Sequence, residues 1–231
     1  MVTFNDKKET DIPGLFLKDR KILAPTKQKI KVNVPFMNSA YDMSTVGSGG
    51  EIVYSQRPIE CKFGIKASSK TELQVRYEQF LAWIYDVGQS KLIFDDLANV
   101  YFLAEVEKEP TWQETYLYGE STVTFVAEPF KYGIDLEGNK LWDTFSFEFD
   151  YLQDTEFDVS GSKTVTIYNP GRTIVPNINV SSFMTATIGN YTSNLSIGDN
   201  TDYLFKLKNG ANIIEINGTG HIKFVFRKEV L

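Results

Sequence analysis

Cysteine is almost absent from this chain: Cys61 stands alone among 231 residues. That excludes an intrachain disulfide and any thiolate-rich metal cluster. Histidine is as scarce. His221 is the only one, so a triad or a histidine metal site would rest on it alone, and no partner base or nucleophile stands beside it. No apolar run reaches the ~18 residues that a membrane-spanning helix requires. The opening, Met1-Val2-Thr3-Phe4-Asn5-Asp6-Lys7-Lys8, lacks the basic stretch and apolar core of a secretory leader. A protein made in a cytoplasm, with no membrane partner, is the expectation. Positive charge is also in deficit: 24 Lys and Arg against 30 Asp and Glu leave a net charge of −6. Such a surface does not grip nucleic acid or anionic lipid.

What is present suits a large core. Hydrophobic residues make up 42% of the chain and aromatics 14%, which excludes disorder and allows one large β domain or two of ordinary size. One helix signal stands out from a β-rich background. Ser69 is followed three residues later by Glu72, the spacing of a capping box. Behind it Leu73, Tyr77, Phe80, Leu81 and Ile84 share one face until Asp86-Val87-Gly88 ends the run. The spacing predicts a helix over Thr71–Tyr85 whose stripe packs within the fold.

The remainder reads as short strands. Ile30-Lys31-Val32-Asn33-Val34 alternates as a half-buried strand does, Pro35–Gly50 has no periodicity, and strands resume at Glu51–Tyr54 and Ile59–Ile65. A connection of that length is more often interfacial than idle. Lys91–Phe94 and Val100–Ala104 read as a hairpin around Asp95-Asp96, which is taken as turn chemistry. A strand over Glu120–Val126 is expected to end at Pro129, and Lys131–Lys140 is the candidate boundary between two halves. In the second half Phe145, Phe147, Phe149 and Tyr151 alternate with polar residues. Asn209-Gly210 and Asn217-Gly218 mark hairpin turns between strands at Tyr203–Leu207, Asn212–Ile216 and Ile222–Phe226. The rhythm suggests a jelly-roll β-sandwich.

Sites of chemistry do not emerge. Glu105, Glu107, Glu109 and Glu114 lack the spacing of a calcium loop. Gly47, Gly49 and Gly50 do not join a strand to a helix, so they make no phosphate cradle. No catalytic, cofactor-binding or metal-ligating set is expected, and binding, scaffolding or assembly is the default class.

The order of several ordinary motifs resembles one family. Val2-Thr3-Phe4-Asn5 with Ile12-Pro13-Gly14-Leu15, then the helix, Leu92-Ile93-Phe94-Asp95-Asp96, Tyr101-Phe102-Leu103-Ala104 and Glu128-Pro129-Phe130 are similar to the N-terminal half of the distal tail (Dit) proteins of siphophages and prophages. Tyr168-Asn169-Pro170-Gly171, Pro176–Val180 and Leu207–Ile214 resemble its C-terminal half. The resemblance implies a mainly β protein. Residues 1–133 would form a ring-building β-sandwich with one α-helix and a β-hairpin, and residues 134–231 a galectin-like or jelly-roll β-sandwich. It implies a non-enzymatic hexameric hub in the virion that joins the tail tube, built of major tail protein, to a tail-associated tip protein and to receptor-binding or baseplate proteins. DNA would pass through the ring unbound, which agrees with the negative charge. The expected subunit interface is Pro35, Phe36, Met37, Tyr41 and Val46 in the long loop, with Glu72, Arg76 and Gln79 on the helix's polar face. The alternative reading is a carbohydrate-binding, lectin-like module.

Overall fold

The computed structural model describes residues 1–97, 99–138 and 151–231. Phe145, Phe147 and Phe149 of the expected aromatic stripe lie outside those residues. The chain divides into two compact units, the first formed by Met1–Leu97 and Tyr101–Lys131, the second chiefly by Tyr132–Val230.

The first unit holds β1 (Val2–Phe4), β2 (Lys7–Lys8), a 3-10 turn, β3 (Leu15–Ile22), β4 (Lys31–Val32), β5 (Tyr41–Asp42) and β6 (Arg57–Lys66). After them come α1 (Lys70–Ile84), β7 (Ser90–Phe94), β8 (Val100–Glu105), β9 (Gln113–Thr115) and β10 (Tyr118–Gly133). One sheet runs in the order β2-β1-β7-β8-β10-β6-β3, with β9 on β10, while β4 and β5 pair only with each other. The sheet curls on itself. Strands β1 and β10 stand three places apart, about 14 Å in a flat sheet, yet the rings of Phe4 and Phe125 meet edge to face at 5.2 Å between centroids. The two layers of the expected sandwich are thus two sides of one curled sheet around a single core.

Helix α1 closes that core. Ser69 Oγ accepts from the Glu72 N–H at 3.2 Å, and the Glu72 carboxylate accepts from the Ser68 N–H at 2.6 Å, one residue before the amide a capping box uses. Leu73, Phe80, Trp83 and Ile84 are buried. Phe80 packs on Phe63 of β6 at 5.2 Å, and the Trp83 indole donates to the Phe4 carbonyl at 2.9 Å. The stripe serves the fold, as the spacing indicated. Cys61 is a fully buried small hydrophobe whose thiol is pushed up to about 12, above all by burial.

Three local readings are corrected. Strand β10 does not stop before Pro129 but continues to Gly133. Its ladder with β6 ends at Ala127↔Arg57, so the missing proline N–H forfeits no bond on that side. Glu51–Tyr54 is not a strand; a single bridge, Lys27↔Tyr54, forms there. The Asp96 carboxylate does not serve its own turn alone, because both its oxygens accept from the Arg20 guanidinium.

The second unit holds β11 (Glu156–Asn169), β12 (Asn177–Val180), β13 (Met184–Ile188), β14 (Tyr191–Leu195), β15 (Gly198–Thr201), β16 (Gly210–Val225) and β17 (Glu229–Val230). Asn217-Gly218 makes no turn here: β16 is continuous, and β11 follows it from Glu156↔Lys223 to Asn169↔Gly210. On its other edge β16 pairs first with β13, up to Met184↔Gly218, and then with β12, from Val180↔Ile222. Gly218 and Gly220 lie at that change of neighbour with φ of 141° and 145°. A Cβ on Gly220 would stand 2.6 Å from the Ser181 and Ser182 hydroxyls. The strands of this one six-stranded sheet enclose a core that includes Ile167, Ile178, Leu195, Ile216 and Phe224. Tyr203–Leu207 is not a strand either; Leu207 makes an isolated bridge with Ile174.

Candidate assembly surface

Between β3 and β6 the chain leaves the sheet as an arm. At its root the Leu23 N–H donates to the Pro58 carbonyl at 3.3 Å, the Ser55 N–H to Thr26 at 2.8 Å and the Gln28 N–H to Val53 at 2.9 Å. Farther out Lys31 pairs with Asp42 and Val32 with Tyr41, and the Met43 N–H donates to the Ile30 carbonyl at 2.8 Å. Strand alternation then sorts the side chains. Ile30, Val32 and Val34 fall on one face with Tyr41 and Met43, and all five are exposed. Lys29, Lys31 and Asp42 fall on the other, where Lys29 and Asp42 form an ion pair at 3.0 Å. The Asp42 carboxyl is held well below the usual carboxylate range, first by hydrogen bonds from Ser44 and then by Lys29.

The result is an amphipathic ribbon whose apolar side faces water. A two-stranded ribbon has little stability of its own, and a contiguous apolar patch of this kind marks an interaction surface. Of the residues expected at the interface, Pro35, Phe36, Met37, Tyr41 and Val46 all lie on this arm and are exposed. Phe36 sits at the tip with φ of 65° and a fully exposed ring. Val46 is carried on a turn closed by the Gly50 N–H to the Thr45 carbonyl at 3.0 Å. The sequence reading missed Ile30, Val32, Val34 and Met43. The alternation of Ile30, Val32 and Val34 was visible, but a pattern of period two does not say whether its apolar face is covered within the same chain.

The helix residues behave differently. Arg76 pairs with Glu72 at 2.5 Å and also donates to the Lys66 carbonyl. Both side chains thereby fasten the start of α1 to the end of β6. Gln79 is exposed and has no side-chain partner among the described residues. It lines a shallow groove with Lys7, Lys8, Asp11 and Trp83.

Among the described residues, chemistry-bearing groups elsewhere form no catalytic set. His221 lies on β16 with Nδ1 3.0 Å from the Asp158 carboxylate, and its Nε2 is 3.7 Å from Glu156. These are exposed cross-strand neighbours with no nucleophile in the network. No group of three potential metal ligands occurs among the described residues. In the second unit Asp202 accepts from the Tyr191 hydroxyl at 2.7 Å, the Ser193 hydroxyl at 2.7 Å and the Leu204 N–H at 3.0 Å. That set of bonds holds a turn which presents Tyr203 and Leu204 to solvent.

Residues 16–127 match the family model described as the phage tail protein RIFT-related domain, a span that begins in β3 and takes in the arm, α1 and most of β10. No curated protein sequence matches the chain. Among solved structures the fold is similar to that of the SPP1 Dit protein, described as a paradigm of the hub adsorption apparatus in phages infecting Gram-positive bacteria. The TM-score is 0.68 at 11% identity, and the match covers 100% of this chain and 98% of that one.

Proposed function

We propose that this chain is a distal tail protein of a siphophage or prophage, a structural component of the tail tip. The observation that carries the reading is the correspondence along the whole chain with the fold of a hub protein. The tail-protein domain at residues 16–127 supports it independently, because it falls on the unit that bears the arm. The comparisons do not favour the lectin alternative.

In this reading residues 1–133 build a hexameric ring and residues 134–231 form a galectin-like domain. A cyclic ring requires two different patches on each subunit, one meeting the other on its neighbour. The arm supplies one of them: Ile30, Val32, Tyr41 and Met43 with Phe36 at the tip and Val46 behind it. Gln79 remains available on α1, whereas Glu72 and Arg76 act within the subunit. The ring joins the tail tube to a tail-associated tip protein and to baseplate or receptor-binding proteins, after synthesis in the host cytoplasm. Six copies at −6 each repel the phosphate backbone, so DNA passes without being held.

Antibody labelling of virions tests the placement. Label confined to the distal end of the tail is the expected result, and label along the tube or on the capsid would contradict it.

A further inference from the structure

Arg57 opens β6 and is only 4% exposed. Its Nη2 donates to the Pro129 carbonyl at 2.5 Å, and its guanidinium lies 5.6 Å from the centre of the Phe102 ring. The Nε atom is buried and has no hydrogen-bond partner. Arg57 stands opposite Ala127 in the β6–β10 ladder, and Lys131 lies four residues further along β10, so alternation places both side chains on the same face. Burial, and then the charge on Arg57, hold its ammonium below the usual lysine range. Among the described residues no carboxylate pairs with either cation. Two arginines of the same unit differ from Arg57: Arg20 holds Asp96 and Arg76 holds Glu72.

Arginine stays protonated even when desolvated. Two neighbouring cations with no anion among the described residues therefore constitute a standing cost to the fold. Their location is informative. Phe130, between Pro129 and Lys131, packs edge to face on Tyr54 at 5.7 Å, and Tyr54 bridges Lys27. The cation pair flanks the root of the arm. The chain as a whole carries surplus acid, at −6, so copies brought together repel one another unless specific carboxylates find cations. A guanidinium fork beside an ammonium, both partly desolvated, suits a carboxylate.

We propose that Arg57 and Lys131 form a carboxylate-binding site, filled in the assembled tail by an acidic side chain of a second copy of this chain. The source of the carboxylate rests on the hub reading; the site itself does not.

Thermal unfolding of the full chain in sodium chloride, sodium acetate and sodium phosphate at matched ionic strength tests the site. Acetate should raise the wild-type Tm over chloride by about 2–4 °C. Lys131→Gln should abolish that increment while unfolding in chloride no earlier than wild type, because one unpaired cation has been removed. A variant that unfolds earlier in chloride and keeps the increment would show Lys131 to be merely structural, and would overturn the proposal. A shift in phosphate with none in acetate overturns the carboxylate assignment. Dilution followed by mass photometry tests the source: Lys131→Gln should weaken self-association by about tenfold or more. Unchanged association with the acetate increment present overturns the second-copy source. A wild type that is monomeric throughout overturns that source together with the hub reading, while the acetate increment still decides the site.

Discussion

Several single residues in this molecule carry consequences that bulk composition does not. Gly119 leaves the space in which Trp112 lies: a Cβ there would stand 1.9 Å from the indole ring. Trp112 in turn stacks on Tyr77 of α1 at 4.0 Å. Gly119→Ala should therefore displace that stack and destabilise the first unit by about 1–3 kcal/mol, read as a lowered urea midpoint. Cys61 makes the opposite point. Fully buried, with its thiol raised to about 12, it should not react with a thiol reagent in the native protein and should react stoichiometrically in urea. Asp202 adds a pH dependence. Its carboxyl is held below the usual range, first by the Ser193 hydroxyl and then by that of Tyr191. A carboxyl depressed in the folded state stabilises the fold above its unfolded value of about 4. That contribution disappears as pH falls through the lower folded value. Asp202→Asn should consequently unfold earlier than wild type at pH 7, with the difference shrinking in thermal scans at acid pH. A constant difference across that range would contradict the assignment.

At the scale of elements, α1 was legible because its signals are local. The cap, the stripe and the stop lie within a few residues of one another, and the observed Lys70–Ile84 differs from the expected bounds by one residue at each end. Ser69→Ala should cost about 1 kcal/mol, measured by chemical denaturation, while Ser69→Asp should be nearly neutral. Strand β16 was misread for the complementary reason. Asn217-Gly218 is a hairpin signal when only its neighbours in sequence are seen, but Gly218 is needed where β16 changes partner from β13 to β12. That exchange involves segments some 30 to 45 residues away and leaves no local trace. Glu72 and Arg76 were read as a free polar face, although their i,i+4 spacing already offered a salt bridge within the helix. The arm was legible as a loop of consequence, but not as a ribbon with an apolar side. Val32→Asp combined with Phe36→Ser should leave the unfolding midpoint within about 0.5 kcal/mol of wild type, because both residues are exposed. The same pair should abolish self-association, read by light scattering.

The whole molecule presents a chain with a well-filled core in each of two units and an arm whose apolar face has no cover of its own. A subunit built for assembly leaves such a face unsatisfied, whereas a self-sufficient lectin or enzyme does not require one. Composition left one large domain and two of ordinary size both open, and the candidate boundary at Lys131–Lys140 rested on its glycines. The order of motifs along the chain carried the resemblance to tail proteins, which the matched domain and the whole-length fold correspondence support. Stoichiometry was not legible in the same way, because it depends on the angle between two patches that sit on different copies. Mass photometry of the purified full-length chain measures it directly. A closed hexamer has six times the 26.3 kDa subunit mass, about 158 kDa, and the account predicts that species, lost in the Val32→Asp/Phe36→Ser variant. A wild-type chain that stays at the mass of one subunit up to micromolar concentration, alone and with its tail neighbours, would contradict it.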